Sequence, residues 1–367
     1  MTESDSPKQL PLHTLHERAG AKFGPFAGWS MPLSYPLGVM KEHLHTRTHA
    51  GLFDISHMRL FEVAGTDAAA FIARICPVEA GSHPIGASKY TFLLNTEAGI
   101  LDDLIVTRLA DDRFMIVANA ARAEADEAWM RDALQDMNAT IEALDRVFLA
   151  LQGPDAAQVM TDSGFDIAGM SFMSGMGPRP GWFLTRSGYT GEDGFEIALP
   201  HDRAEAFADN LVMDERVEWV GLAARDSLRL EAGLCLYGND LDESTDPISA
   251  GLTWAVPKSL REGGSYIGAE RLAEIHASGP LEKRVGLQAE GRQPVRAGAV
   301  LTDSDGKPAG RVTSGGFGPS VEHPVAMGYV RTDLAQPGSE VTADVRGRQV
   351  PMRVTKLPFI VKRSQKG

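Results

Sequence analysis

Strand-like segments come in runs in this chain, without a helix between each pair. Apolar alternation and β-branched residues predict strands over 59–63, 90–94, 104–109 and 114–118, with helical spacing over 121–137. Further strands are predicted over 148–151, 182–186 and 195–199. Helices follow at 203–213 and in the Arg-, Leu-, Glu- and Ala-rich stretch 223–232. A parallel doubly wound sheet needs a crossover helix between successive strands. The order of elements excludes that architecture and predicts an α+β fold. With 367 residues, 43% of them hydrophobic, the chain can bury a large core divided among two or three domains.

The pattern changes once more near the C-terminal end. The charge-rich stretch 269–283 reads as a helix broken at Gly279-Pro280, a linker signal. From Val285 to Phe359 short strands alternate with turn signals, among them Asp303-Ser304-Asp305-Gly306, Ser314-Gly315-Gly316 and Arg346-Gly347-Arg348. A small all-β barrel or sandwich is predicted there.

Bulk properties narrow the function. The formal net charge of −13 argues against broad phosphate neutralisation, so no nucleic-acid partner is expected and an anionic ligand must be met by particular arginines. Cys76 and Cys235 lie far apart in apolar settings, which predicts neither a disulfide framework nor a zinc site and suits a reducing compartment. The start, Met1-Thr2-Glu3-Ser4-Asp5-Ser6-Pro7, is unlike a signal or transit peptide, and no apolar run has the length of a membrane helix. A soluble cytoplasmic protein is the expectation.

Several constellations carry chemistry or imitate it. His43, His45 and His49 are spaced as metal ligands could be, but no cysteine or carboxylate cluster downstream completes a site, so no metal is expected. Gly175-Met176-Gly177 with Gly181 has the wrong spacing for a dinucleotide loop and is read as an ordinary loop. The pair Asp102-Asp103 stands between Gly99-Ile100-Leu101 and Leu104-Ile105-Val106. At the edge of a strand the two side chains point to opposite faces, so they are not expected to form a shared acid/base pair. One would face a site and the other would be spent on a turn or salt bridge; alternatively, both cap a turn before a buried strand.

The segment 186–196, Arg-Ser-Gly-Tyr-Thr-Gly-Glu-Asp-Gly-Phe-Glu, is the densest functional text. Gly191 and Gly194 permit a tight loop with Glu192-Asp193 at an exposed tip. Tyr189 offers a ring face to a flat ligand, and Glu196 offers two acceptor oxygens to a heterocycle with adjacent N–H donors. A plain hairpin would account for the glycines alone. Arg225 and Arg229 share one face of the helix beginning near Gly221. A first-turn arginine opposes the helix dipole, so Arg225 needs an acidic partner such as Asp226 or Glu231, or an anionic ligand.

Taken together these blocks resemble the T-protein, or aminomethyltransferase, family of the glycine cleavage system. The resemblance runs through Phe26-Ala27-Gly28-Trp29-Ser30-Met31-Pro32-Leu33, Gly51-Leu52-Phe53-Asp54-Ile55-Ser56-His57-Met58, Gly99-Ile100-Leu101-Asp102-Asp103-Leu104 and the segment 186–196. It continues through 221–231, Tyr237-Gly238-Asn239-Asp240 and Val312-Thr313-Ser314-Gly315-Gly316-Phe317-Gly318-Pro319-Ser320. It implies a three-domain cloverleaf around a central folate site. Two antiparallel-sheet α+β domains would be intertwined within 1–282, one from about 1–58 plus 140–260 and one from about 59–139, with a small β-barrel over 283–367. By the same resemblance Asp103 is the catalytic acid near the reacting folate nitrogens and Asp102 its structural neighbour. Tyr90, Tyr189, Glu196 and Arg225 would line the folate site, with Asn119 and Met58 as further contacts. Arg122, after Asn119-Ala120-Ala121, departs from the family pattern, and Arg363 of the variable tail is not counted among the site residues.

The implied reaction passes an aminomethyl group from the dihydrolipoyl arm of a lipoylated H-protein to tetrahydrofolate, giving methylenetetrahydrofolate and ammonia without a metal. Two alternatives share the scaffold. One is a tetrahydrofolate-dependent demethylase of an S-, O- or N-methyl donor, the other a non-catalytic folate-binding relative.

Overall fold

The computed structural model describes residues 6–364. Most of the N-terminal segment compared above with targeting peptides, Met1 to Asp5, lies outside the described residues. A five-stranded antiparallel sheet runs from edge to edge as Ser88–Leu94, Ile100–Ala110, Arg113–Ala118, Arg59–Ala64 and Thr140–Leu144. Its helices are held by apolar stripes: Ala68–Ile75 buries Ala68, Phe71, Ile72 and Ile75, three and four residues apart, against Phe61, Val106 and Ile116.

The second sheet has six strands, ordered Ser174–Met176, Phe183–Arg186, Gly194–Leu199, Val147–Gln152, Ala50–Asp54 and Val217–Trp219. All neighbours are antiparallel except the last pair. Alternation sends Leu52, Leu149, Leu151 and Ile197 to one face, under the helices Ala156–Asp162 and His201–Val212. Phe53, Phe148, Ala150 and Ala198 face the other way, where they meet Leu60, Met115 and Val117 of the five-stranded sheet and Ala224 and Leu228 of the helix Leu222–Glu231. This shared core fixes the two sheets against one another.

A third, small sheet orders Lys8–Gln9, Trp29–Ser34 and Lys22–Phe26. The C-terminal strands close into a six-stranded barrel in the order Glu282–Ala289, His323–Arg331, Pro308–Gly318, Val300–Thr302, Glu340–Val345 and Arg348–Thr355. Leu287, Leu301, Val312, Val330 and Val354 fill its interior. The choice left open between barrel and sandwich is resolved as a barrel, within an α+β protein.

Three local readings change. The acidic strand begins at Ile100, earlier than the expected 104, so Asp102 and Asp103 are drawn into the sheet, paired with Leu93 and Phe92. The glycine segment read as a loop contributes the strand Ser174–Met176, whose other side bonds the 86–88 segment and where a Cβ at Gly175 would stand 2.9 Å from Thr185 Cγ2. Residues from Cys235 to Leu272 share a core with Phe92, Leu94 and Ile100, so this stretch packs on the five-stranded unit. Among the described residues no helix is long and apolar enough to cross a membrane.

Candidate active site

The acidic strand places Asp103 half-buried and Asp102 fully buried. Ile105 pairs with Val117. Continuing that register two residues beyond Val117, one past the end of Arg113–Ala118, brings Asn119 opposite Asp103. Its Nδ2 donates to Asp103 Oδ1 at 3.0 Å, to the Asp103 carbonyl at 2.9 Å and to Asp102 Oδ1 at 2.9 Å, and its backbone N–H donates to Asp102 Oδ2 at 3.1 Å. Alternation does send the two carboxylates to opposite faces, and what the sequence did not show is the amide between them. They leave the strand in opposite directions, yet one amide ties them together, and among the described residues neither is used in a salt bridge. Tyr90 Oη donates to Asp103 Oδ2 at 2.8 Å. Burial, then the adjacent Asp102, push the Asp103 carboxyl up to about 7 against the lowering effect of the Tyr90 and Asn119 hydrogen bonds. A carboxyl poised near neutrality is suited to move a proton.

Tyr90 meets the edge of Phe92 as well as Trp254. Its ring stacks on Trp254 at 5.6 Å with 18° between planes, although Trp254 is 66% exposed. No sequence signal singled out Trp254.

Across the sheet seam, Glu196 from Gly194–Leu199 is buried and accepts from Ser187 Oγ at 2.9 Å. Burial raises the proton affinity of Glu196, while Arg225 and Ser187 lower it. The Arg225 guanidinium lies 4.8 Å over the Tyr189 ring, and its buried Nη1 has no hydrogen-bond partner among the described residues. The ion pair considered for Arg225 is thus corrected. Asp226 pairs with Arg229 instead, at 2.8 Å, because Arg229 turns toward Asp240 and the barrel while Arg225 turns inward to the tyrosine. Tyr189 Oη donates to the Cys235 carbonyl, which fixes the ring carrying Arg225.

His57 was missed by the candidate list, although it lies in a quoted block. It is buried, its Nδ1 lacks a partner among the described residues, and burial followed by Arg225 pushes it down to about 3 against the opposing pull of Asp54. It is a neutral imidazole throughout the physiological range. Met58, next to it, is half-buried against the Phe53, Leu60 and Leu228 core.

Family models match almost the whole chain. The GCVT N-terminal domain matches residues 12–259 and the glycine cleavage T-protein C-terminal barrel domain matches residues 283–360. The chain belongs to the glycine cleavage T-protein family. It is 42% identical to the mitochondrial aminomethyltransferase of Gallus gallus, over 96% of this chain and 92% of that one. It is 36% identical to the mitochondrial aminomethyltransferase of Dictyostelium discoideum, over 98% and 94% respectively. The crystal structure of glycine cleavage system aminomethyltransferase T from Bartonella henselae superposes with a TM-score of 0.97 at 58% identity, covering 98% of this chain and all of that one.

In this T-protein family member the segment 186–196 also departs from expectation. Glu192 and Asp193, read as an exposed tip, are 2% and 8% exposed. Arg186 clamps Asp193 with two bonds of 2.9 and 2.6 Å, and Arg47 Nη1 donates to Glu192 Oε1 at 2.9 Å and to the Thr190 carbonyl at 2.6 Å. Buried charges need such partners. The tail adds a strap: Arg363 N–H donates to the Gly191 carbonyl at 2.8 Å and its Nη1 to the Arg47 carbonyl at 2.9 Å. The three histidines considered as metal ligands bond to different groups, although the His45 and His49 ring centroids are 5.1 Å apart. His43 meets Ser227, Glu231 and Ser320, His45 meets the Arg216 carbonyl, and His49 meets Asp155. Arg122, the departure from the family pattern, pairs with Glu243 at 3.0 Å and covers the Tyr237 ring.

Proposed function

We propose that this chain is the aminomethyltransferase of a glycine cleavage system, moving the aminomethyl group from the dihydrolipoyl arm of the H-protein to tetrahydrofolate and releasing ammonia. Near-full-length similarity to proteins named for this activity supports the reaction class. The single structural observation that carries the reading is Asp103, half-buried, held by Tyr90 and Asn119 and poised near neutrality.

The residues fit a folate. Glu196 offers carboxylate oxygens to adjacent N–H donors, the buried Arg225 Nη1 awaits an acceptor, and the neutral His57 has an unmatched ring nitrogen. Tetrahydrofolate, when bound, supplies the nitrogens that take up the one-carbon unit. The carbon does not change oxidation level: its bonds to sulfur and nitrogen are exchanged for two bonds to folate nitrogens. What the chain must provide is alignment and a managed proton. Asp103, held by Tyr90 and Asn119, aims one carboxyl at the reacting atoms, where its negative form favours the positive charge that develops on the carbon. Glu196 and Arg225, braced by Ser187 and Tyr189, hold the ring. Cys235 is buried and its thiol is pushed up to about 12, so it is not called on as a nucleophile.

The cellular setting we propose is the cytoplasm, supported by two free, buried thiols at Cys76 and Cys235. The deciding assay measures methylenetetrahydrofolate formed from aminomethylated H-protein by the unmodified enzyme and by Asp103→Asn. A loss of kcat of about 100-fold or more is expected with tetrahydrofolate affinity kept; undiminished turnover removes Asp103 from the mechanism.

A further inference from the structure

Large apolar side chains are ordinarily driven inward, yet Trp254 stays exposed while its neighbours do not. Leu252, Ala255 and Val256 are buried in one core with Phe92, Leu94 and Ile100. The short helical turn Thr253–Ala255 is tied by the Ala255 N–H to the Leu252 carbonyl at 2.9 Å and by the Val256 N–H to the Thr253 carbonyl at 3.2 Å. The indole is therefore mounted outward on a firm base. An isolated exposed apolar residue needs no explanation. Trp254 differs because the ring it stacks on, Tyr90, donates its hydroxyl proton to Asp103 at 2.8 Å.

Two reactants must meet at Asp103, and the site offers groups of two kinds. Glu196, Ser187 and Arg225 are polar and buried, with Arg225 lying over Tyr189. They suit a heterocycle that both donates and accepts hydrogen bonds. Tyr189 donates to the Cys235 carbonyl, and Cys235 packs in the core of Phe92 and Ile100, against which Tyr90 rests. Cys235 is thus common to both tyrosines. Beyond it the chemistry changes. Tyr90 meets the edge of Phe92 at 5.3 Å and stacks on Trp254, so that an aromatic surface leads from solvent to the hydroxyl that bonds Asp103.

The aromatic side fits the donor's arm. Such an arm is a flexible, uncharged chain, mostly of methylene groups, with nothing that a carboxylate or a guanidinium could recognise. An indole face takes methylenes out of water and loses little side-chain freedom in doing so. We propose that Trp254 is a specificity-determining residue for the donor, its outward face carrying the hydrocarbon arm past Tyr90 to Asp103. The identity of the arm rests on the proposed reaction. A chain laid along the two stacked rings ends at the tyrosine hydroxyl, so the path and the acid belong to one assembly.

The first measurement follows the indole N–H resonances of the full chain by NMR. The five tryptophans give five such signals, and that of Trp254 is the one lost in Trp254→Phe. It should shift on titration with lipoylated H-protein and stay in place with the same carrier lacking its lipoyl group. Calorimetry supplies the affinities. Losing about 50–60 Å² of apolar contact corresponds to about tenfold in binding, so Trp254→Ala should weaken the lipoylated carrier by about that factor. Tetrahydrofolate and the unlipoylated carrier should change by less than about twofold, and Trp254→Phe should restore most of the loss.

Three results overturn the proposal. Equal losses for lipoylated and unlipoylated carrier put Trp254 against the body of the carrier, and a tenfold loss for tetrahydrofolate puts it against the folate. If Trp254 serves only to brace Tyr90, every affinity holds while the pH profile of kcat moves with Asp103. A Trp254 resonance indifferent to the lipoyl group rejects the idea in the unmodified chain, whatever the folding of Trp254→Ala. The reaction is read separately, as methylenetetrahydrofolate formed by the unmodified chain from aminomethylated H-protein. Arm-dependent binding without transfer keeps the arm site and removes the reaction; transfer from limiting carrier that Trp254→Ala leaves undiminished keeps the reaction and removes the arm site.

Discussion

At Asp103 a carboxyl whose ordinary proton affinity lies near pH 4 is held at about 7, chiefly by burial and then by Asp102, and the sign of that shift matters for folding. Between the two values the folded protein binds more protons than the unfolded chain, so stability falls as pH rises from about 4 to about 7 and stays reduced above. Asp103→Asn should therefore be the more stable protein at about pH 8, by an amount on the order of 1–3 kcal/mol, and should lose that advantage at about pH 4. Urea unfolding at the two pH values checks this. His57 acts with the opposite sign: held at about 3, it costs stability as pH falls from its ordinary 6.5 toward that value. The sequence made Glu196 legible because it follows a glycine-marked loop, and the pair Asp102-Asp103 because acids in an apolar frame stand out; the choice of Asp103 came from the family resemblance. Their connection was not legible, since alternation speaks of side-chain direction and says nothing of Asn119, which arrives from a neighbouring strand and reaches both acids. His57 escaped for a similar reason: its orphaned nitrogen is visible only once Arg225 is placed beside it.

At the scale of elements, the hairpin of residues 186–196 was readable from its glycines. Gly191 has φ of +81°, and a Cβ at Gly194 would meet the Leu151 carbonyl at 2.6 Å. Its burial was not readable, because the groups that bury it come from Arg47 and from the tail. Arg47 also donates to Glu231 Oε2 at 3.1 Å, so one guanidinium serves two buried carboxylates from different elements. Although burial pushes Glu231 up, its contacts with His43, Arg47 and Ser320 bring it down to about 2. Arg47→Met should cost about 3–5 kcal/mol, the usual penalty for stranding buried charge. A shift of the denaturant midpoint equivalent to less than about 1 kcal/mol would show that the hairpin stands without the clamp.

For the molecule as a whole, runs of strands and the compositional change after Gly279-Pro280 were enough to announce an α+β body followed by a small all-β unit, since both are patterns within short windows. How the barrel is held depends on residues that no window contains. Asp240, fully buried, accepts from Arg229 Nη1 at 2.8 Å, from the Leu236 N–H at 3.0 Å, and from Thr313 and Ser314 of the barrel at 2.5 and 2.8 Å. Asp240→Asn should loosen this joint at a cost of about 2–4 kcal/mol and expose the 279–283 connection to proteolysis while the barrel core persists. Unchanged cleavage would locate the joint elsewhere. The strap described at the far end of the chain bears on biogenesis. The Phe359 N–H donates to the Glu231 carbonyl and the Arg363 N–H to the Gly191 carbonyl. On a ribosome adding about 5–20 residues per second, the hairpin that carries Tyr189 waits on the order of 10–30 s for the chain that will close over it. During that interval the Gly191 and Glu231 carbonyls lack the tail N–H groups that later bond them, and the hairpin relies on Arg47 and Arg186 alone.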